Sequence, residues 1–315
     1  MSGGASRSGA SIGSPGGAPS VTPSLRENEQ APAHATTTQP PRCAALIIIQ
    51  DTAVSSGVAR ILFPLPDRDF DVTEVAVPWK LLVEAGHEPV FATEAGATPA
   101  CDPLLISGVV FGLLGARDEP IAFYRELEQA ASFARPLRWS DVDPARFDAL
   151  FLAGGHARGM RQYLGSEVVQ RLTAAFFADA DKPIGAICHG VLVAARATAD
   201  GGRSVLHGHR TTCLPKYMER SAYLATFWRR GRYYRTYPAY VEDEVRAALA
   251  EPAHFELGPK TLSRRGTRDD DTHAFVVEDG RYISARWPGD AYLIAKQLIA
   301  RLPAVQGASR AAPSS

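Results

Sequence analysis

A chain of 315 residues, 45% of them apolar, is long enough for one large α/β domain or two small ones. Its 34 basic and 34 acidic residues cancel to a formal charge of +0, so no global field recruits nucleic acid or an acidic membrane. The four cysteines, Cys43, Cys101, Cys188 and Cys213, are widely spaced with no C-x-x-C pair; this argues against a zinc ribbon and a disulfide scaffold and fits a reducing cytoplasm.

Residues 1–42 are rich in Gly, Ser, Pro, Ala and Thr and are expected to form a disordered tail without the apolar core of a signal peptide. Residues 303–315 read the same way, which leaves a folded domain over 43–302. No stretch approaches the roughly 20 apolar residues of a membrane span, so no membrane partner is expected. Residues 44–50 (AALIIIQ) have the β-branched, apolar character of a buried strand. A helix over 78–86 stops at Gly86, and a second strand follows over 87–93. Residues 104–134 begin as a glycine-punctuated apolar run, continue as a helical pattern and read as an insertion. A strand over 147–153 opens onto Gly154-Gly155-His156. Ser166 is placed to cap a helix that carries Val169, Leu172 and Phe176 on one face.

The short apolar run 184–187 is followed at once by Cys188-His189-Gly190 and a helical pattern over 191–199. Further expected elements are a strand at 210–214, a helix at 240–250, two strands at 273–277 and 282–286 around the turn Glu278-Asp279-Gly280-Arg281, and a closing helix at 290–302. Strands separated by helices predict an α/β fold, a doubly wound and mostly parallel sheet with helices on both faces. Functional groups gather at the carboxyl ends of strands in such sheets. Gly154-Gly155-His156 and Cys188 both lie at such ends.

The junction at Cys188 resembles a nucleophile elbow, a tight turn that needs small neighbours, here Ala186 and Gly190. A cysteine at a helix N-terminus is favoured as thiolate, and the adjacent His189 offers either a base or a stabilising cation. Burial as an ordinary core thiol is the competing reading and suits the other cysteines better. Gly154 and Gly155 are candidates to present amides to an oxyanion; the phosphate-cradle alternative lacks the P-loop and Rossmann spacings. Glu74 follows Asp71 at capping-box spacing, while Pro78 removes the donor its carbonyl would receive, so a helix must start near Pro78 or bend there.

Three segments carry a resemblance: Ala-Ile-Cys-His-Gly at 186–190, Gly-Gly-His at 154–156, and Thr-Glu-Val-Ala-Val-Pro at 73–78. Together they are similar to the ThiJ/PfpI superfamily, which is class I glutamine amidotransferase-like, over about 44–302. The adjacent Cys-His resembles its glyoxalase III and heat-inducible chaperone branch. The resemblance implies a flavodoxin-like fold, a homodimer and a small carbonyl substrate; no counterpart of the metal site found in some relatives is seen in the sequence, and no cofactor is expected. It also implies that Glu74 shares a proton with Cys188. A downstream acid orients the histidine in that branch. Lys216 stands where the aspartate is usual, so Glu219 is the nearest candidate. The implied reaction is glutathione-independent conversion of methylglyoxal to lactate through a Cys188 hemithioacetal, with Gly154, Gly155 and His156 near the substrate.

Two other readings stand beside it. His254-Phe255-Glu256 has the His-x-Glu form of Cys-dependent amide hydrolases and amidotransferases, with both side chains on one face if the segment is a strand. A holdase chaperone or redox sensor would use an exposed apolar patch or an accessible low-pKa thiol. The interleaved aromatic and basic residues at 228–237 are expected to form a helix edge, lid or dimer surface rather than a nucleic-acid platform. Asp269-Asp270-Asp271 reads as a solvated loop, and His207 and His209 read as loop residues.

Overall fold

The computed structural model describes residues 57–111, 114–199, 201–261 and 263–305. The expected tails and the expected strand at 44–50 lie outside them, residues 303–305 excepted. The chain runs through β1 (Arg60–Pro64), β2 (Arg68–Phe70), α1 (Val72–Glu84), β3 (Glu88–Thr93) and β4 (Ala100–Cys101). The 104–134 region then holds α2 (Pro103–Ser107), α3 (Asp118–Leu127) and α4 (Ala131–Ala134). Next come β5 (Leu137–Arg138), β6 (Ala149–Leu152), α5 (Arg161–Leu164), α6 (Glu167–Ala178), β7 (Ile184–Ile187) and α7 (Val191–Arg196). The chain closes with α8 (Lys216–Arg230), α9 (Val241–Ala248), β8 (Val276–Asp279), β9 (Tyr282–Ala285) and α10 (Ala291–Ile299).

Seven strands form one sheet in the order β5-β3-β1-β6-β7-β9-β8. Every pairing in it is parallel except β8–β9. This is the expected α/β, flavodoxin-like architecture. The central strands read as unbroken apolar runs because helices cover both faces: β6 and β7 are buried at every position. β2 and β4 make a separate two-stranded parallel ribbon.

The sheet reverses direction at β1: the chain goes out to β3 on one side and returns to β6 on the other. Loops after β1, β6 and β7 therefore meet at the carboxyl edge, where such sheets form a crevice. β1 was not anticipated, because Arg-Ile-Leu-Phe-Pro is short and sits among glycine and proline turn signals. The expected strand at 210–214 reduces to one bridge, Thr211 with Phe255. α8 was missed because it buries only Met218, Glu219 and Thr226 and lacks a clear apolar stripe. The Ser166 cap (Oγ accepting from the Val169 amide at 3.3 Å) and β7 lie where the sequence places them, and the expected hairpin is present with its first strand shifted from 273–277 to Val276–Asp279, so Glu278 and Asp279 pair with β9 instead of forming the turn.

Candidate active site

Cys188 follows the last residue of β7 and adopts φ +59°. A left-handed conformation in a non-glycine residue costs about 1–3 kcal/mol and persists only where its surroundings hold it. The next turn, Cys188–Gly190, is 3-10 and leads into α7. Gly190 makes the turn possible: a Cβ there would lie 2.2 Å from the Leu152 carbonyl oxygen and 2.7 Å from that of Ala153. Only a glycine lets the start of α7 pass this close to the end of β6.

α1 begins at Val72 and continues through Pro78, which answers the question left open by the sequence. Asp71 caps it, its Oδ1 accepting from the Thr73 amide at 2.8 Å and the Glu74 amide at 3.2 Å. Glu74 therefore does not act as the reciprocal arm of a capping box. Its side chain leaves the helix and accepts from the Gly154 amide through Oε2 at 2.9 Å. The Asp71 amide donates to the Gly154 carbonyl at 2.9 Å, so helix and loop are tied at two points. A Cβ on Gly154 would sit 2.6 Å from Glu74 Oε2 and 2.8 Å from the His189 amide nitrogen, so this glycine is the space in which three elements meet.

The Glu74 carboxyl is fully buried near the Cys188 thiol, and its Oε1 has no hydrogen-bond partner among the described residues. Burial, reinforced by Asp71, holds the carboxyl well above the usual carboxylate range. Burial also pushes the Cys188 thiol well above an ordinary cysteine, with Glu74 and Asp71 adding to the effect. The helix N-terminus alone does not set the charge here. The His189 amide does favour the thiolate, but the loss of water and the two neighbouring carboxyls outweigh it.

Cys188 Sγ lies 3.5 Å from His189 Nδ1. Burial, with smaller contributions from His156 and Arg196, holds His189 well below the ordinary histidine range, so its imidazole is neutral. Thr236 determines the tautomer. Its hydroxyl lies 2.6 Å from the His156 carbonyl, to which it donates, and 3.0 Å from His189 Nε2. With its proton committed to the carbonyl, the Thr236 oxygen accepts from Nε2–H, and Nδ1 presents a lone pair to the thiol.

Glu219 is not a partner of His189. Its carboxylate accepts from the Val241 amide at 3.1 Å and lies 3.6 Å from Arg235 Nε, and burial raises it to about 7. It holds the start of α9, and the histidine-orienting position expected for an acid is taken by the Thr236 hydroxyl. Lys216 pairs with Asp243 on the surface.

The aromatic and basic run at 228–237 ends as a strap over this site. Tyr234 stacks on the His156 ring at 4.3 Å, Tyr233 meets it edge-on at 4.6 Å, and Tyr233 donates to Asp102. Arg161 anchors the strap by donating to the Thr236 carbonyl at 2.6 Å. His156 is pushed down to about 3 by burial, and its Nε2 has no partner among the described residues. Gly155, at φ +150°, carries the chain past Asp69 and Asp71. The Gly154 amide is occupied by Glu74, which leaves that of Gly155 as the remaining candidate of the two expected oxyanion amides.

His254 ends a 3-10 turn and lies 4.0 Å from Glu251, while Glu256 pairs with Arg210. The expected His-x-Glu strand is absent there, and neither side chain is a partner of Cys188. Among the described residues no group of three or more metal-ligating side chains converges, and no helix is long and apolar enough to cross a membrane.

A family model described as ThiJ/PfpI family-like matches residues 65–259. An uncharacterized protein of Schizosaccharomyces pombe is 28% identical over 243 residues, covering 74% of this chain and 80% of the relative. Two solved structures share the fold. The Rapid Encystment Protein 24 KDa of Francisella tularensis has a TM-score of 0.57 at 16% identity, covering 78% of this chain and 99% of that one. Glyoxalase III of Candida albicans has a TM-score of 0.55 at 20% identity, covering 78% and 98%.

Proposed function

The chain belongs to the ThiJ/PfpI family, and from that premise we propose that it is a cysteine-dependent enzyme acting on small reactive carbonyls, converting methylglyoxal to lactate without glutathione. The observation that carries this reading is one thiol in contact with a neutral imidazole and close to a buried carboxyl held well above the usual carboxylate range. Two separate proton movers beside one nucleophile suit a reaction that adds a thiol to a carbonyl and then shifts a proton between adjacent carbons.

His189 Nδ1 takes the Cys188 proton as sulfur attacks the aldehyde carbon, and Glu74 protonates the carbonyl oxygen. The product is a hemithioacetal. The Glu74 carboxylate removes the remaining hydrogen from that carbon while the His189 imidazolium protonates the neighbouring carbonyl oxygen, giving an enediol; Glu74 then returns its proton to the neighbouring carbon as His189 takes the proton of the first hydroxyl, a proton it later gives back to the departing sulfur. A thioester of lactate results. Water hydrolyses it, releasing lactate and restoring the thiol. In this reading the Gly155 amide is the candidate donor to the oxyanions.

Lactate measured after incubation with methylglyoxal and no added thiol tests the reading. The wild type is expected to produce it and Cys188→Ala is not; equal turnover by both proteins overturns the proposal.

A holdase role is favoured by a separate observation, an exposed apolar surface on and beside α8. Phe111 is 75% exposed, Trp228 60% and Phe227 50%, and the Phe111 and Trp228 rings lie 6.4 Å apart. Suppression of client aggregation that survives Cys188→Ala and is lost in Trp228→Ser would support it.

A further inference from the structure

A cavity of about 260 Å³ opens beside the first turn of α1, and Cys188 is not among the residues that line it. Arg117, Arg265, Ser263 and Thr267 contribute polar side chains to its wall, and Thr73 forms part of its floor. Neither arginine has a carboxylate within ion-pair distance among the described residues. Arg265 donates only a long bond, 3.4 Å, to the Gly115 carbonyl, and its guanidinium lies 5.1 Å from the centre of the Trp287 ring. Stacking holds the planar fork in place while leaving most of its donors free. The acid on the same wall, Glu119, is already engaged: Tyr292 donates to it, and Arg268 lies 3.6 Å away.

Two like charges therefore share a partly enclosed space with no carboxylate in ion-pair contact, surrounded by hydroxyls that can donate. Removing water from one guanidinium beside another is unfavourable unless an anion compensates. Arg265 feels both effects: burial lowers its affinity for a proton, Asp71 and Glu74 act in the opposite sense without direct contact, and Arg117 lowers it further. We propose that this cavity binds a small oxyanion, the phosphate or carboxylate group of a small metabolite, held between the Arg117 and Arg265 guanidiniums. Charge-assisted, bidentate recognition of this kind is what paired arginines supply. The cavity volume admits little beyond the anionic group and a short carbon chain.

The site adjoins the catalytic helix, since Thr73 immediately precedes Glu74. It does not depend on the reaction at Cys188, so its test is a binding measurement. Titration calorimetry of the full chain with inorganic phosphate and, separately, with malonate is the experiment. Saturable one-site binding of either is expected, weakening as ionic strength rises. Arg117→Gln and Arg265→Gln are each expected to weaken it at least about tenfold, with Arg265→Lys intermediate. Binding of phosphate alone identifies a phosphorylated ligand, and binding of malonate alone identifies a carboxylic acid. Arg117 is exposed, so its variant carries the test if Arg265→Gln fails to fold. Absence of saturable binding of both anions in the millimolar range overturns the proposal, as does binding unchanged in both glutamine variants.

Discussion

Thr236 Oγ1 lies 3.0 Å from His189 Nε2, in the position where an acid was expected to orient the histidine. A hydroxyl that donates to the His156 carbonyl can only accept from the imidazole. It therefore fixes the ring's proton on Nε2 without adding a negative charge to a site that already holds two buried carboxyls. A third carboxylate would push Glu74 and Cys188 further from ionisation.

Thr236→Val removes the acceptor while keeping the shape. The buried Nε2–H then lacks a partner, at a cost of about 1–3 kcal/mol, or roughly five- to 150-fold in rate if the loss falls on the competent tautomer. The expected result is a lower kcat with little change in KM, and recovery in Thr236→Ser. A KM effect alone would show that Thr236 serves the strap and not the histidine.

The depressed proton affinity of His189 sets the acid limb of activity. A base whose pKa is lowered stays neutral below the ordinary histidine value of about 6.5. The acid limb of kcat/KM is therefore expected below pH 6.5. A midpoint at or above 6.5 would mean that His189 is not the group taking the Cys188 proton.

Glu74 separates structure from chemistry. Glu74→Gln keeps an oxygen for the Gly154 amide and mimics the protonated acid, so the fold should be preserved. It cannot cycle a proton, and kcat should fall about 10²- to 10⁴-fold. Glu74→Ala should in addition lower thermal stability, because the buried Gly154 donor loses its only acceptor, at about 1–3 kcal/mol. Unchanged turnover in Glu74→Gln would leave His189 as the sole proton mover.

The parts of this site that were legible are those written locally. The apolar run Ile184–Ile187 ending at Cys188 marks a strand and its exit, and the need for Gly190 follows from the tightness of that turn. Glu74 was legible through its distance from Pro78, although only the structure shows that Asp71 caps the helix and frees the glutamate side chain. Thr236 had no local signature. It is 47 residues from His189 in sequence and reaches it because α8 and the strap fold back over the carboxyl edge of the sheet. The alternation at His254 and Glu256 mimicked a strand, whereas Pro252 starts a 3-10 turn that turns the two side chains to separate partners. Lys216 and Glu219 lie on a helix that the sequence concealed, so their distance from the histidine could not be judged from spacing.

Asp71 gives a stability test that does not involve turnover. It is buried, and the loss of water raises its carboxyl from the ordinary 3.8 to about 6. A carboxyl raised in the folded state binds its proton more tightly there than in the unfolded chain. Its contribution is fully present below about pH 4 and is lost as pH rises through about 6. Asparagine also caps helices, and its side-chain oxygen can take over both amide bonds that Oδ1 now accepts. Asp71→Asn removes the titration, so it should be more stable than the wild type at pH 8. With 1.36 kcal/mol per pKa unit, the gain at pH 8 over that at pH 4 is about 1–3 kcal/mol. Chemical denaturation of both proteins at the two pH values measures it. A difference between the proteins that stays constant from pH 4 to 8 would show that Asp71 ionises in the fold as it does in water, and that the capping bonds and the Arg265 charge together offset its burial.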